Sequence, residues 1–374
     1  MTQPPPARVG DPLAAVDTPA LLVDLPAFEA NLDRMARLAR DAGLRLRPHA
    51  KTHKSPIVAL QQIARGAVGQ CCQKVAEAEI LAAGGVTDIL ISNQVVGASK
   101  LERVGALARR VALSICADDA GNVAELGAVA RRYGATLTVL VEIDAGMGRC
   151  GVAPGEAAAA LAGVIAATPG LIFGGLQAYH GSAQHIRGHG ERRAAIAGAG
   201  ERVKRTLEAL ARRSLPCPQV TGAGTGTFEF EAASGLWTEL QCGSYAFMDA
   251  DYGRNLGAGN EPIAGFAHSL FLWATVMSRP GPDRAVCDVG LKSTSTESGV
   301  PLVADLADVT YRGASDEHGA LTLGPRALPL PLGSKLRLIP GHCDPTINLH
   351  DWYVAIREGR VEALWPIAAR GASS

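Results

Sequence analysis

Two short segments of the sequence carry residues whose types and spacing could do chemistry together. His342 and Asp344 are two positions apart, and on an extended backbone such residues point to the same side, so both could bind one divalent cation. Lys51 follows an apolar stretch and is flanked by histidines and a second lysine. Neighbouring cationic groups lower the pKa of an amine and make it nucleophilic. A reactive amine and a hard cation together predict Schiff-base chemistry on a substrate that carries oxygen.

Both segments also have an ordinary interpretation. Lys51 could be a solvated lysine at the end of a strand, and Lys54 competes with it as the reactive amine on chemistry alone. His342 and Asp344 could form a turn with a local hydrogen bond, because Asp-Pro pairs favour turns. Two protein ligands would leave most positions around a metal to water or substrate, which is typical of a catalytic metal site and not of a structural one.

The composition excludes several classes of function. The 374 residues are enough for two domains, with 47% hydrophobic and 19% charged residues. Lysine plus arginine and aspartate plus glutamate both total 36, so the net charge is zero and argues against nucleic acid or an anionic membrane as the main partner. No apolar run is long enough to span a membrane, and Met1–Pro6 lack a signal-peptide pattern, so we expect a cytoplasmic protein. The eight cysteines form no CxxC pair, which predicts buried free thiols.

Short apolar runs alternate with longer helical patterns between residues 44 and 243. Several runs are almost continuously apolar, as in strands buried on both faces of a parallel sheet. The predicted strands are Leu44–His49, Val68–Cys72, Asp88–Ser92, Val111–Cys116, Leu137–Ile143, Ile172–Tyr179, Pro218–Gly222 and Thr238–Cys242. Eight strands with helices between them favour an α/β fold, a (β/α)8 TIM-type barrel, over its main rival, an open doubly wound sheet.

The remainder of the chain predicts a second, smaller domain of antiparallel β-structure. After Tyr252 the pattern becomes rich in strands, and hairpin turns are expected at Glu358-Gly359 and His318-Gly319. We assign residues 21–260 to the barrel and residues 1–20 plus 261–374 to the β-rich domain, which would carry the metal ligands. The strands predicted in this domain are Leu270–Met277, Arg284–Asp288, Val309–Tyr311, Lys335–Ile339 and Trp352–Ile356.

The chemically distinctive residues follow the predicted barrel strands, at the end where the active sites of such barrels lie. The loops after strands seven and eight often bind phosphate through backbone N–H groups and hydroxyls. By itself, the Gly-x-Gly-x-Gly pattern at 222–226 indicates a tight turn equally well. The candidate cofactor-binding residues at this end are Lys51, Gln73, Arg149, Tyr179, Thr221, Gly222, Gly224, Thr225, Gly226, Gly243, Ser244 and Tyr245.

A phosphate site and an amine facing the same barrel mouth are the arrangement that pyridoxal phosphate requires, with Lys51 as the amine. Arg149 could be a surface arginine or a partner of Asp144. Opposite a pyridine nitrogen, Arg149 would keep that nitrogen unprotonated, because arginine does not release its own proton.

Several motifs together resemble one known family. They are Arg-Pro-His-Ala-Lys at 47–51, Cys-Cys-Gln-Lys at 71–74, Gly-Arg-Cys-Gly at 148–151, Gln-Ala-Tyr-His-Gly at 177–181, Gln-Cys-Gly-Ser-Tyr-Ala-Phe-Met-Asp at 241–249 and Pro-Gly-His-Cys-Asp-Pro-Thr at 340–346. Through them, the sequence resembles the D-threonine aldolases of the alanine-racemase-type (fold type III) pyridoxal phosphate enzymes. The resemblance extends from about Gly10 to Gly371.

The resemblance implies a role for each part of the site. Lys51 would carry pyridoxal 5'-phosphate, Arg149 would meet the pyridine nitrogen, and Tyr179 would lie beside the ring. The two glycine-containing loops would take the phosphate. His342 and Asp344 would hold a divalent cation, which we expect to be Mn²⁺, with Mg²⁺ or Co²⁺ as alternatives. The resemblance also implies a homodimer.

The expected reaction is retro-aldol cleavage of a D-3-hydroxy amino acid, such as D-threonine, D-allo-threonine or D-phenylserine, to glycine and an aldehyde. His185 would assist proton transfer. Related D-serine dehydratases have His-x-Cys at the metal, whereas Asp344 is a harder oxygen ligand, which favours the aldolase. Ala223 stands where relatives often have glycine, and we expect little consequence because the backbone N–H remains.

Three alternatives stay open at this point. A 3-hydroxy-D-aspartate aldolase, which forms glycine and glyoxylate, would need a further cation for the second carboxylate, and Arg187 or Lys292 could supply it. A D-serine or 3-hydroxyaspartate dehydratase would release ammonia. A non-catalytic pyridoxal phosphate carrier is disfavoured, because such proteins are usually single barrels without a β-rich domain.

Overall fold

The computed structural model describes residues 4–263, 265–327 and 329–374. Met1–Gln3, Ala264 and Leu328, which belong to the predicted β-rich domain, lie outside the described residues. The first elements in chain order are β1 (Ala20–Asp24), α1 (Leu25–Asp41), β2 (Arg45–Leu46), α2 (Pro56–Ile63), β3 (Gln70–Cys72), α3 (Val75–Ala83), β4 (Asp88–Ile91), α4 (Ala98–Ala108), β5 (Ala112–Ala117), α5 (Ala120–Tyr133), β6 (Leu137–Glu142), α6 (Glu156–Ala167), β7 (Leu171–Ala178), α7 (His189–Arg212), β8 (Val220–Gly222), α8 (Phe228–Ala233) and β9 (Glu239–Leu240).

Strands β2 to β9 form one parallel sheet in the order β2-β9-β8-β7-β6-β5-β4-β3. A parallel bridge between His49 and Cys71 joins the segment after β2 to β3, so the sheet closes on itself. The predicted (β/α)8 TIM-type barrel is therefore confirmed, and the open doubly wound sheet is excluded. The first and last barrel strands, β2 and β9, are shorter than predicted, with only two residues each in regular pairing.

The barrel strands are apolar on both faces, which explains their nearly continuous hydrophobic runs. In β6, Val139 and Val141 point outward and pack with the surrounding helices, while Leu140 points inward. Inside the barrel Leu140 meets Leu90, Cys71 and Cys116, and these four residues form one buried layer. Such a layer fills the barrel, so a ligand can enter only at its mouth.

A second sheet combines β1 with strands from the end of the chain. Its later elements are β10 (Leu270–Gly281), β11 (Arg284–Cys287), β12 (Leu302–Val303), β13 (Val309–Ala314), β14 (Gly319–Leu323), β15 (Lys335–Ile339), α9 (Cys343–Ile347), β16 (Trp352–Arg357) and β17 (Arg360–Pro366). All pairs are antiparallel except β1 with β16. The expected domain boundary at residue 21 runs through β1, whose pairing with β10 and β16 puts it in the second sheet. The division near residue 260 stays a prediction.

Side-chain alternation along β10 shows how this sheet is packed. Leu270, Leu272 and Ala274 face the main core between the sheet and the barrel loops, whereas Phe271 and Trp273 face a smaller cluster on the other side. This period of two is the strand signal that the sequence carries. No helix in the described parts of the chain is long and apolar enough to cross a membrane.

Helix α1 connects the two sheets. Asp24 caps it by accepting a hydrogen bond from the backbone N–H of Ala27 at 3.1 Å. Phe28, Leu32 and Met35, spaced for one helical face, are buried in the same core as β10. The predicted hairpin at Glu358-Gly359 is confirmed between β16 and β17, where φ is 50° and 72°, as a two-residue turn requires.

Candidate active site

A cavity of about 380 Å³ opens at the carboxyl ends of the barrel strands. It lies where the sequence predicted an active site. Side chains and backbone from most of the strand-end loops line it: His49, Lys51, Thr52, Gln73, Ser92, Met147, Arg149, Gln177, Tyr179, Gly181, Ser182, His185, Ala223, Gly224, Thr225, Gln241, Gly243, Ser244 and Tyr252.

The two candidate lysines have different surroundings. The Lys51 amine reaches the cavity and forms an ion pair with Asp344. Lys54 is instead mostly buried and bound to Glu77, with 2.6 Å between Nζ and Oε1. Burial would lower the pKa of Lys51, but the Asp344 carboxylate raises it above its ordinary value. The expected lowering by neighbouring cations is therefore wrong, because a carboxylate from the second domain lies nearer than any of them.

Asp344 and His342 belong to the loop and short helix α9 of the second domain. Oδ2 of Asp344 contacts Lys51, while its Oδ1 is buried without a hydrogen-bond partner. His342 Nδ1 is bound to Asp249 at 2.8 Å, so Nε2 is the nitrogen that could bind a metal. One orphaned carboxylate oxygen and one available imidazole nitrogen fit a divalent cation. Among the described residues no third His, Cys, Asp or Glu completes a metal-binding group, so water and substrate would fill the other positions.

The electrostatics couple these two residues. Burial would raise the pKa of Asp344, but Lys51 and His342 hold it well below its ordinary value. Burial would likewise lower the pKa of His342, yet the hydrogen bond to Asp249 and the charge of Asp344 raise it to about 9. The Asp344 carboxylate is therefore ionised at neutral pH, as cation binding requires, whereas His342 is protonated there and must release its Nε2 proton when a cation binds.

His185 lies in the 3₁₀ turn Ser182–His185, beside the same loop. Its ring is 6.3 Å from the His342 ring, measured between centroids, and 5.4 Å from that of Tyr252. Its Nδ1 makes a hydrogen bond with the buried carboxylate of Asp251. The structure thus brings Lys51 and His185 to one cavity, with the Asp344 carboxylate against the Lys51 amine and the His342 ring beside that of His185.

The two glycine-containing loops line the same cavity. A Cβ at Gly224 would lie 2.4 Å from Gln184 Oε1, and a Cβ at Gly243 would lie 2.7 Å from Thr52 Oγ1, so only glycine fits at either position. With Thr225 and Ser244, they line a backbone cradle that fits a phosphate group. Ala223 has φ of 67°, a left-handed conformation in which its Cβ costs roughly 1 kcal/mol, so this residue has a structural consequence that we did not expect.

Four other loop residues predicted to bind the cofactor serve the barrel framework. The Thr221 hydroxyl donates to Glu239 at 2.8 Å, inside the barrel. Gly222 and Gly226 pack closely against backbone carbonyls of Ala178 and Gln184. The Tyr245 hydroxyl accepts a hydrogen bond from Gln62, although its backbone N–H donates to Thr225 Oγ1 at 3.0 Å. None of these four lines the cavity within the described residues, so they support the loops from behind.

Arg149, Tyr179 and Gln73 all line the cavity. The Arg149 guanidinium lies over the Tyr179 ring, 5.8 Å from its centroid. Gln73 Nε2 is 3.0 Å from His49 Nε2, and Ser92 Oγ joins them. Burial lowers the pKa of His49 well below its usual value, so this histidine is a neutral hydrogen-bonding group. The Arg149–Tyr179 pair provides a flat face suited to an aromatic cofactor ring.

Sequence reasoning missed the residues that support the two histidines of the candidate site. Asp249 and Asp251 bind the two histidines, and Tyr252 packs against both rings. Gln177 and Gln241 form the cavity floor. The sequence held one signal for the acidic pair, because Asp249 and Asp251 stand two positions apart shortly after the last barrel strand, as do His342 and Asp344 in their own segment.

Comparison with known proteins agrees with this architecture. Residues 23–251 match the family model described as alanine racemase, N-terminal domain, and residues 269–356 match a serine dehydratase domain. A D-threonine aldolase of Arthrobacter sp is 51% identical over 99% of this chain and 97% of that protein. A 3-hydroxy-D-aspartate aldolase of Paracoccus denitrificans (strain Pd 1222) is 45% identical over 98% of this chain and 95% of that protein.

A crystal structure of D-threonine aldolase from Filomicrobium marinum superimposes with a TM-score of 0.95, at 48% identity, covering 100% of both chains. The overall fold, over the whole length of both chains, is thus shared with that enzyme. The chain therefore belongs to the D-threonine aldolase family, a group of carbon–carbon lyases built on the alanine racemase fold.

Proposed function

We propose that this protein cleaves D-3-hydroxy amino acids to glycine and an aldehyde, with pyridoxal 5'-phosphate and a divalent cation. The single observation that carries the proposal is the meeting of three groups at the barrel mouth. The Lys51 amine and the His185 imidazole line the cavity, and Asp344 and His342 lie beside them. An imine-forming amine, a cation site and a proton acceptor are the groups that such a cleavage needs. The family membership supports the same reaction class.

The residues that would hold each group follow from the cavity walls. Lys51 would attach the cofactor, the loops around Gly224 and Gly243 would receive its phosphate, and Arg149 would face its pyridine nitrogen. His342 Nε2 and Asp344 Oδ1 would bind the cation, which we expect to be Mn²⁺ because the ligand set includes a carboxylate oxygen. When bound, pyridoxal phosphate supplies an electron sink beside Cα, and the cation supplies a Lewis acid for the β-hydroxyl.

The chain's own groups then move the protons. His185 Nε2 would accept the proton of the β-hydroxyl, because its Nδ1 is already bound to Asp251. As that proton leaves, a C=O bond forms at Cβ and the Cα–Cβ bond breaks, with its electron pair remaining on Cα. The aldehyde departs, and Cα takes up one proton to become the methylene of glycine.

The surroundings favour a substrate whose distal group is uncharged. Both candidate cations for a second carboxylate are engaged elsewhere. Arg187 binds the Asp251 carboxylate and also donates to Asn255 Oδ1 at 2.8 Å. Lys292 pairs with Glu317 at 2.6 Å and lines a different cavity. We therefore expect D-threonine and D-phenylserine to be better substrates than D-3-hydroxyaspartate.

The test compares aldehyde release from D-threonine, D-phenylserine and D-3-hydroxyaspartate, with chelator and then with added Mn²⁺. We expect metal-dependent turnover of the first two and a rate lower by on the order of tenfold or more for the third. Asp344→Ala should lose turnover and keep the near-visible absorbance of the bound cofactor. Faster release of glyoxylate would make the protein a 3-hydroxy-D-aspartate aldolase, and ammonia from D-serine would make it a dehydratase.

A further inference from the structure

We propose that the segment 249–251 positions both histidines of the site, with Asp249 orienting the metal-binding His342 and Asp251 orienting the proton-accepting His185. This inference rests on the proposed function and adds two residues to it. Neither aspartate lines the cavity within the described residues, so both act through the histidines that they bind. Asp249 is fully buried, and Asp251 is almost so.

The segment is held in place by the loop that carries the metal ligands. The backbone N–H of Ala250 donates to Pro340 O at 3.0 Å, and that of Asp251 donates to Gly341 O at 3.1 Å. Met248, which precedes the segment, has φ of 52°, a left-handed conformation that persists only where the surroundings enforce it. The segment therefore joins the barrel to the second domain beside the site.

Asp249 fixes the orientation of His342. Its Oδ2 accepts hydrogen bonds from His342 Nδ1 at 2.8 Å and from the backbone N–H of Cys343 at 2.9 Å. Its Oδ1 accepts from the backbone N–H of Tyr252 at 2.9 Å, so the carboxylate cannot rotate freely. A carboxylate bound to the far nitrogen of a metal-binding histidine fixes its tautomer and strengthens it as a ligand.

Asp251 does the same for His185. Its Oδ2 is bound to His185 Nδ1, while its Oδ1 accepts from the guanidinium groups of Arg187 and Arg254, the latter at 2.5 Å. Arg254 also donates to the backbone O of Ser298 at 2.6 Å, and so it is anchored from a second side. With Nδ1–H committed to Asp251, the lone pair of His185 Nε2 is available to the substrate hydroxyl.

The hydrogen-bond partners determine what an asparagine would do at each position. At 251, the two guanidinium groups would keep the amide oxygen at the Oδ1 position and turn the NH2 group toward His185 Nδ1. An NH2 group there requires Nδ1 to accept, so Nε2 would carry the proton and could not act as a base. At 249, two donors meet at Oδ2, so the amide oxygen would stay with His342. The NH2 group would then face the backbone N–H of Tyr252, so that hydrogen bond would be lost together with the negative charge.

The experiment compares Asp249→Asn with Asp251→Asn, each the control for the other, in protein loaded with pyridoxal phosphate. Mn²⁺ affinity is measured by titration followed by electron paramagnetic resonance, and kcat is measured at saturating Mn²⁺. For Asp249→Asn we expect Mn²⁺ affinity to fall by roughly 10- to 100-fold, with turnover largely restored at high Mn²⁺. For Asp251→Asn we expect wild-type Mn²⁺ affinity and a kcat lower by roughly 100-fold or more.

The near-visible absorbance and the thermal unfolding midpoint show whether each variant is folded and loaded. Should a variant fail to fold, the same two assays are applied to His342→Gln and His185→Gln. These variants report whether His342 mainly sets the affinity for Mn²⁺ and His185 mainly sets kcat. Equal losses of affinity and kcat in both variants, or wild-type values in both, would overturn the positioning roles. A wild-type protein without metal-dependent turnover would instead refute the proposed function itself.

Discussion

At the scale of single residues, surroundings distinguish groups of the same type. Lys51 and Lys54 are three positions apart, yet one reaches the cavity and the other is bound to Glu77. The rings of His342 and His185 are neighbours, yet each is bound to its own aspartate. A carboxylate that fixes one nitrogen of an imidazole decides what the other nitrogen can do. The chemical role of each side chain therefore depends on the group to which it is hydrogen-bonded or ion-paired.

The lysine assignment gives a direct prediction. Lys51→Ala should abolish the near-visible absorbance of bound pyridoxal phosphate, because no amine would remain at the cavity wall to bind it covalently. Lys54→Ala should keep that absorbance, although loss of the buried pair with Glu77 should lower the free energy of unfolding by about 3 kcal/mol. Absorbance spectra of both purified variants, together with denaturant titrations, check this. Loss of absorbance in Lys54→Ala alone would reverse the assignment.

At the scale of elements, the loop after β8 lines the cavity and has little space for larger side chains. Ala223 and Gly224 are adjacent, but their constraints differ. Ala223 has an unfavourable φ of 67°, but its position has space for a Cβ. At Gly224 the constraint is space, because a Cβ there would lie 2.4 Å from Gln184 Oε1. Gln184 itself donates to Thr227 Oγ1 at 2.7 Å and cannot move aside easily.

Substitutions at the two positions should therefore differ in their effects on stability and cofactor affinity. Ala223→Gly should leave the affinity for pyridoxal phosphate unchanged and alter the free energy of unfolding by less than about 1 kcal/mol, since relief of strain offsets the entropy of the unfolded chain. Gly224→Ala should destabilise the protein by roughly 1–3 kcal/mol and weaken cofactor binding. Cofactor titration and thermal unfolding measure both effects. Equal affinities in the two variants would mean that this loop does not receive the phosphate.

At the scale of the whole molecule, the site exists because two sheets meet at the barrel mouth. The backbone O of His53, in the loop that carries Lys51, accepts a hydrogen bond from the Tyr353 hydroxyl of β16 at 2.8 Å. His53 is fully buried at this junction, and its Nδ1 accepts from the backbone N–H of Ser55 at 3.1 Å. Burial lowers the pKa of His53 to about 4 from its usual 6.5, so the folded protein keeps it neutral.

This histidine makes stability depend on pH. Between pH 6.5 and 4 the unfolded chain binds a proton at His53 that the folded protein does not, so the free energy of unfolding falls as the pH is lowered. The shift corresponds to about 3 kcal/mol, reached near pH 4. In His53→Gln that part of the decrease should be absent. Denaturant titrations of both proteins from pH 7 to 4 check this, and parallel curves would contradict it.

Much of the fold was predictable because it follows from local patterns. Apolar strands alternating with helical patterns predicted the barrel, as in β6, and the Glu358-Gly359 pair predicted a hairpin. The domain boundary placed at residue 21 cuts through β1, since the sequence records an apolar strand there but not its neighbours. Strand pairing between distant segments depends on packing that a one-dimensional pattern does not contain.

By itself, the sequence determined the alternation of strands and helices and the residue types available for chemistry, because both depend on neighbours along the chain. Only the tertiary structure decided which groups meet. Lys51 and Asp344 form an ion pair although 293 positions separate them, and the pKa of Lys51 rises where the local sequence predicted a fall. The physical reason is that electrostatic energy depends on distance through space. Packing of the second sheet on the barrel mouth sets that distance.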